Sequence, residues 1–162
     1  MSATDDYLAH NARYVESFPG PLPTPPSRAT AVVACMDARL NVYAALGLAD
    51  GEAHVIRNAG GVVTEDVIRS LTISQRLLGT REVVLIHHTG CGLLTITDER
   101  FARTLQAETG HTPRWRAHAF TDLEDDVRDG MRLIRESPFL PATDAVRGFV
   151  FDVATGALTE VR

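Results

Sequence analysis

The chain has 162 residues, 44% of them hydrophobic, which fits one domain with a sizeable core. Its formal net charge is −5 and it carries no basic run, so neither nucleic acid nor an anionic membrane is expected as a main partner. No apolar stretch is long enough to cross a bilayer, and Met1-Ser2-Ala3-Thr4-Asp5-Asp6 lacks the basic and apolar regions of a signal peptide, so the cytosol is the expected compartment.

In chain order, Thr4 is a candidate cap for a first helix with Asp5 and Asp6 in its opening turn. Tyr7, Leu8, Tyr14, Val15 and Phe18 recur there at helical spacing. Residues 19–26 then hold five of the chain's eight prolines and should run extended and stiff. Residues 1–26 therefore read as an arm and linker ahead of the domain. Its aromatic face needs cover, from a neighbouring subunit or from its own domain.

Residues 30–35 read as a first strand, apolar without alternation as a strand covered on both faces should be. A short helix over 40–46 is stopped by Gly47. Residues 53–57 form a second strand ending in Arg57-Asn58-Ala59-Gly60-Gly61. A helix follows over 65–78, capped by Thr64 and stopped by Gly79, and then a third strand over 82–87. Thr97 caps a helix to Thr109, ended by Gly110, and residues 111–120 form a polar loop around Trp115. Thr121-Asp122-Leu123-Glu124 has the form of a capping box, opening a helix with Leu123, Val127, Met131 and Ile134 on one face. Residues 148–153 give a fourth strand, and Thr155-Gly156 turns it into a last one over 157–161. Strands alternating with helices predict an α/β fold: a mostly parallel sheet of about four strands with helices on both faces.

The chemistry-bearing residues gather at two strand ends, where open α/β sheets place their ligands. Cys35-Met36-Asp37-Ala38-Arg39 follows the first strand, and His88-Thr89-Gly90-Cys91-Gly92 follows the third. Singly, a cysteine or histidine there is as well explained as a buried core residue. Together, Cys35, His88 and Cys91 offer two thiolates and an imidazole, the donor set of a zinc site with one open position. A disulfide between Cys35 and Cys91 is the alternative, disfavoured by a reducing compartment. Asp37 either pairs with Arg39 in a bidentate ion pair, leaving the metal open, or ligates zinc itself and closes the site. Loss of such a pair costs about 3–5 kcal/mol if it is buried. His87 should point to the opposite sheet face and is read as structural. His54 is a proton relay or a core residue, while His10, His111 and His118 read as surface residues. Gly60-Gly61 before a helix resembles a phosphate-cradling loop only weakly.

These residues resemble the signature of the β-class carbonic anhydrases: Cys-x-Asp-x-Arg, then His-x-x-Cys about fifty residues later. Cys35, Asp37, Arg39, His88, Cys91 and Gly92 match it in order and type. Arg57-Asn58-Ala59-Gly60 is similar to the family's Arg-Asn loop, and residues 148–156 to its last strand and turn. The likeness covers roughly residues 30–160 and looks closest to the compact prokaryotic branch. It implies a last antiparallel edge strand and one zinc ion per chain. It also implies a homodimer or a tetramer built from dimers, and reversible hydration of carbon dioxide to bicarbonate by zinc-bound hydroxide, with Asp37 and Arg39 as the catalytic pair. Some members bind bicarbonate at a second, inhibitory site through a tryptophan, an arginine and a tyrosine; Val32, Arg57 and Phe151 stand at those positions, so only the arginine is kept. Rival readings are a closed zinc site in a binding module, the same site acting on carbon disulfide or another small heterocumulene, and a thiol phosphatase. The last needs Cys-x5-Arg, whereas Arg39 follows Cys35 after three residues.

Overall fold

The unalternating apolar runs become the middle of a sheet. In the computed structural model, which describes residues 2–162, five strands lie in the order β2-β1-β3-β4-β5. They are β1 (Thr30–Cys35), β2 (Ala53–Asn58), β3 (Glu82–His88), β4 (Ala145–Phe151) and β5 (Leu158–Val161). The first four run parallel and β5 closes the edge antiparallel to β4. Five helices accompany them: α1 (Ala3–Glu16), α2 (Val42–Leu46), α3 (Glu65–Leu78), α4 (Asp98–Thr109) and α5 (Leu123–Glu136). None is long and apolar enough to cross a membrane.

On one face, α3 and α5 pack Val67, Leu71, Val127, Met131 and Ile134 against Ala31, Val33, Val83 and Leu85. On the other, Leu40, Val42 and Phe120 cover Val32, Ala34 and Ile86. Fully burying each such aliphatic side chain contributes about 1.5–3 kcal/mol. The close fit of α5 depends on Gly148, where a Cβ would collide with Val127 and Met131.

Several ends fall where the residues dictate. Thr64 and Thr97 accept from Val67 N–H and Arg100 N–H, while Gly79 and Gly110 end their helices in the left-handed conformation. Two caps differ from expectation. Ser2, not Thr4, caps α1, because Asp5 returns its carboxylate to Ser2 N–H in a full capping box. Asp122, not Thr121, caps α5 through Asp125 N–H. Strand β4 runs Ala145–Phe151 rather than over 148–153, because it pairs with β3 along its whole length, from Glu82 level with Ala145 to His88 level with Phe151; Arg147 is tolerated there by pairing with Glu160 and stacking over Phe149. Helix α1 buries none of its residues, and Tyr7, Leu8, Tyr14, Val15 and Phe18 all stand exposed. The arm does not fold back on its own domain.

Gly61 ties this frame to the strand ends. It sits at φ +72° in the 3₁₀ turn Ala59–Gly61, and a Cβ there would lie 2.8 Å from Cys35 N and 3.0 Å from Ile86 O. It serves close backbone contact rather than a phosphate loop. Gly61→Ala should therefore lower stability by about 1–3 kcal/mol in urea titration. An unchanged midpoint and slope would show that the contact relaxes freely.

Candidate metal centre

Strands β1 and β3 are neighbours with Ala34 level with Ile86, so the residues that end them emerge side by side. Cys35 ends β1, His88 ends β3, and a turn through Gly90 at φ +64° brings Cys91 back over the same point. The three ligand atoms lie within 4.8 Å of one another and all three residues are buried. Both thiols are free, so the disulfide alternative is not realised.

His88 is the most informative of the three. Its Nδ1 donates to Thr89 O at 3.0 Å, which leaves the Nε2 lone pair as the free end of the ring. That nitrogen is fully buried and has no hydrogen-bond partner in the protein. An unpaired buried acceptor costs on the order of 1–3 kcal/mol. Two thiols facing it make the set of soft and borderline donors that suits zinc. Burial raises the pKa of Cys91, with the nearby Cys35 adding to the effect, so a divalent cation is what would favour the thiolates. The residues therefore fit the metal.

Asp37 stands beside the cluster, its Oδ2 3.7 Å from His88 Nε2, but its oxygens are engaged elsewhere. Arg39 donates Nε to Oδ1 at 2.9 Å and Nη2 to Oδ2 at 2.7 Å, and Arg39 N–H also reaches Oδ1. These contacts hold the Asp37 carboxyl well below the usual carboxylate range. The same Nη2 donates to Gly90 O at 3.0 Å, joining the two motifs. The Arg39 side chain is half exposed, so the pair is not a buried one, and its loss should cost little stability.

Sequence reasoning missed the part played by Arg57. Its Nε donates to Cys35 O at 2.9 Å and its Nη2 to Asp37 O at 2.7 Å, which fixes the turn bearing both residues. The signal was positional: Asn58 pairs with Cys35 in the sheet, so Arg57 necessarily ends beside it. Other residues lie apart. His54 is at the far end of β2, level with Ala31 and bonded to Ser74 Oγ at 2.7 Å, so it is no relay for this site. His87 points to the α5 side, bonded to Asp126 at 2.6 Å, as its alternation predicted. His10, His111 and His118 are exposed. Val32 is buried in the core.

Cys91→Ala should release the metal. The loss in zinc affinity is expected to exceed about a hundredfold, the upper end of what removing a mere outer partner costs. Elemental analysis after dialysis reads it, and full zinc retention would contradict the assignment.

The sequence profile of the carbonic anhydrase family matches residues 30–158. The chain is 61% identical over 161 residues to Beta-carbonic anhydrase 1 of Mycobacterium tuberculosis, covering 99% of both chains. It superposes on the crystal structure of a carbonic anhydrase from Streptococcus mutans with a TM-score of 0.94 at 43% identity, covering 100% of this chain and 99% of that one. A more distant similarity links it to the carbon disulfide hydrolase of Acidianus sp., 30% identical over 83% of this chain and 78% of that protein.

Proposed function

We propose how this site works from the premise that the chain belongs to the β-class carbonic anhydrases and catalyses the reversible hydration of carbon dioxide to bicarbonate and a proton. Cys35, His88 and Cys91 hold one zinc ion per chain. When bound, zinc supplies the Lewis acidity that brings the pKa of a water near neutrality. The observation that carries the assignment is the buried, unpartnered His88 Nε2 facing two free buried thiols.

Asp37 and Arg39 are the catalytic pair. Arg39 keeps both Asp37 oxygens on its guanidinium, which leaves the fourth position to water. Asp37 accepts the hydrogen of the attacking oxygen and so turns a lone pair of that oxygen towards carbon dioxide. Because the carboxyl is held in its ionised form by Arg39, it acts as an acceptor across the neutral range. Arg57 preserves the geometry by fixing the backbone carbonyls of Cys35 and Asp37. In a closed site Asp37 would be a fourth ligand, and the bidentate contact of Arg39 with it would be lost. Arg39→Ala frees Asp37 to move onto the metal. It should keep its zinc and its stability but lose turnover about a hundredfold, the size of one preorganised electrostatic contact. Stopped-flow hydration with metal analysis decides, and full turnover at full zinc would retire the pair as catalytic.

The working form is a homodimer, or a tetramer of dimers, in which each α1 arm covers its aromatic face on the neighbouring subunit. The support is the exposure of Tyr7, Leu8, Tyr14, Val15 and Phe18 on a helix tethered by a proline-rich segment. Deleting residues 1–20 should weaken dimerisation at least about tenfold, or 1.4 kcal/mol, in sedimentation equilibrium. Equal dimer affinity would remove the arm from the interface. The protein works in the cytoplasm, where two ligand thiols stay reduced.

A further inference from the structure

The hydrogen-bond ladder between β3 and β4 continues past the last paired residues and then changes partners. His88 lies level with Phe151, and Thr89 N–H donates to Phe151 O at 2.9 Å as the next rung. In a parallel ladder the carbonyl of that same residue accepts from the residue two further along the neighbouring chain. Here that donor is Val153 N–H, but it goes to Thr89 Oγ1, at 3.1 Å. The Thr89 carbonyl accepts from His88 Nδ1 instead, at 3.0 Å. The hydroxyl thus stands where the carbonyl would serve in an uninterrupted sheet, and the carbonyl is released to the histidine. Amide, carbonyl and hydroxyl of Thr89 are all engaged.

The far end of this tie is firm. In the turn between β4 and β5, Asp152 Oδ1 accepts from Ala154 N–H at 2.7 Å and Asp152 O accepts from Gly156 N–H at 2.8 Å. Asp152 N–H in turn donates to Ala157 O at 2.9 Å. Val153 itself packs on the core layer that holds Cys35 and Cys91. The direction of Val153 N–H is therefore set by its own turn before Thr89 meets it. At the near end, a carbonyl can only accept, so its bond to His88 fixes the ring proton on Nδ1. Nε2, which has no hydrogen-bond partner, is left with its lone pair towards the two thiols.

We propose that Thr89 is a positioning residue for the metal ligand: its hydroxyl takes the sheet bond that its own carbonyl would otherwise take, and the freed carbonyl holds His88 in the orientation and tautomer that ligation requires. The proposal rests on the metal reading above. Removing the hydroxyl sets two donors in competition for one carbonyl. Val153 N–H, aimed by its turn, closes the ordinary rung on Thr89 O, and His88 Nδ1 loses its partner. The ring is then free to turn and to carry its proton on either nitrogen. The form protonated on Nε2 has no lone pair for a metal at that atom, so part of the population is lost to binding.

Three measurements on the full-length protein test this. Thr89→Val keeps the shape of the side chain and removes its acceptor, whereas Thr89→Ser keeps the acceptor. In competition with a zinc-chelating dye, Thr89→Val should bind zinc about ten- to a hundredfold more weakly, the range for losing an outer partner of a metal ligand, and Thr89→Ser should recover the parent's affinity. Equal affinity in the parent and Thr89→Val overturns the proposal. In nitrogen-15 spectra of the metal-free proteins, His88 should hold the single Nδ1–H tautomer in the parent and a mixture in Thr89→Val. A merely structural role for the hydroxyl would lower the unfolding midpoint and leave the tautomer alone, and that result overturns the proposal too. The third measurement needs no variant. If the Thr89–Val153 contact favours zinc, zinc must favour the contact. Zinc should therefore slow hydrogen exchange at the Val153 amide more than at the Asp152 amide, which is bonded to Ala157 O in the same turn. Equal slowing at both amides overturns the proposal. A parent protein that binds no zinc would contradict the metal reading itself, whereas a parent that binds zinc no better than Thr89→Val contradicts the role of Thr89 alone.

Discussion

The site depends on the parallel pairing of β1 with β3. Because Ala34 lies level with Ile86, Cys35 emerges beside the end of β3, and His88 and Cys91 need only a short turn to converge on it. Both strands are covered on their two faces, which fixes their register: a slip of one residue would turn every apolar side chain towards the wrong layer. Cys35 and His88 are thus held at the ends of strands packed on both faces. Gly61 adds to this by letting the loop after β2 press against the backbone of both strands.

Charge is then distributed with little to spare. Two thiolates would match the charge of a divalent cation, and Arg39 matches Asp37, so a filled cluster and its neighbour would each be locally neutral. The Asp37 carboxylate thus stands 3.7 Å from the His88 imidazole with both of its oxygens engaged by Arg39. The arginines act through geometry as well as charge. Arg39 forks onto both oxygens of Asp37 and reaches Gly90 O, and Arg57 forks onto the carbonyls of Cys35 and Asp37. A lysine at either position would supply the charge without the fork.

Much of this was legible in the sequence, for identifiable reasons. The helices α3 and α4 could be bounded because a threonine cap and a terminal glycine act within a few residues of where they stand. The gathering of Cys35, His88 and Cys91 was legible because two thiols and an imidazole stand at the ends of strands expected to be close in the sheet. What failed was the choice between nearby capping residues, Ser2 or Thr4 and Asp122 or Thr121, since both members of each pair can cap; reciprocal bonding with Asp5 marks Ser2, and a bond from Asp125 N–H marks Asp122. The start of β4 was hidden because Arg147 looks like a loop residue until Glu160, on another strand, is seen beside it. The work of Arg57 was hidden for the same reason: it acts on Cys35 and Asp37, brought close only by the pairing of β1 with β2.

The central claim is that three protein atoms hold the metal while Asp37 is kept off it. The direct test is a crystal structure of the zinc-loaded protein at neutral pH, with anomalous data at the zinc edge. One ion per chain is predicted, bound by both sulfurs at about 2.3 Å and by His88 Nε2 at about 2.0–2.1 Å, with Asp37 still paired to Arg39. An ion at another place, or Asp37 bound to zinc with Arg39 swung away, would contradict the account.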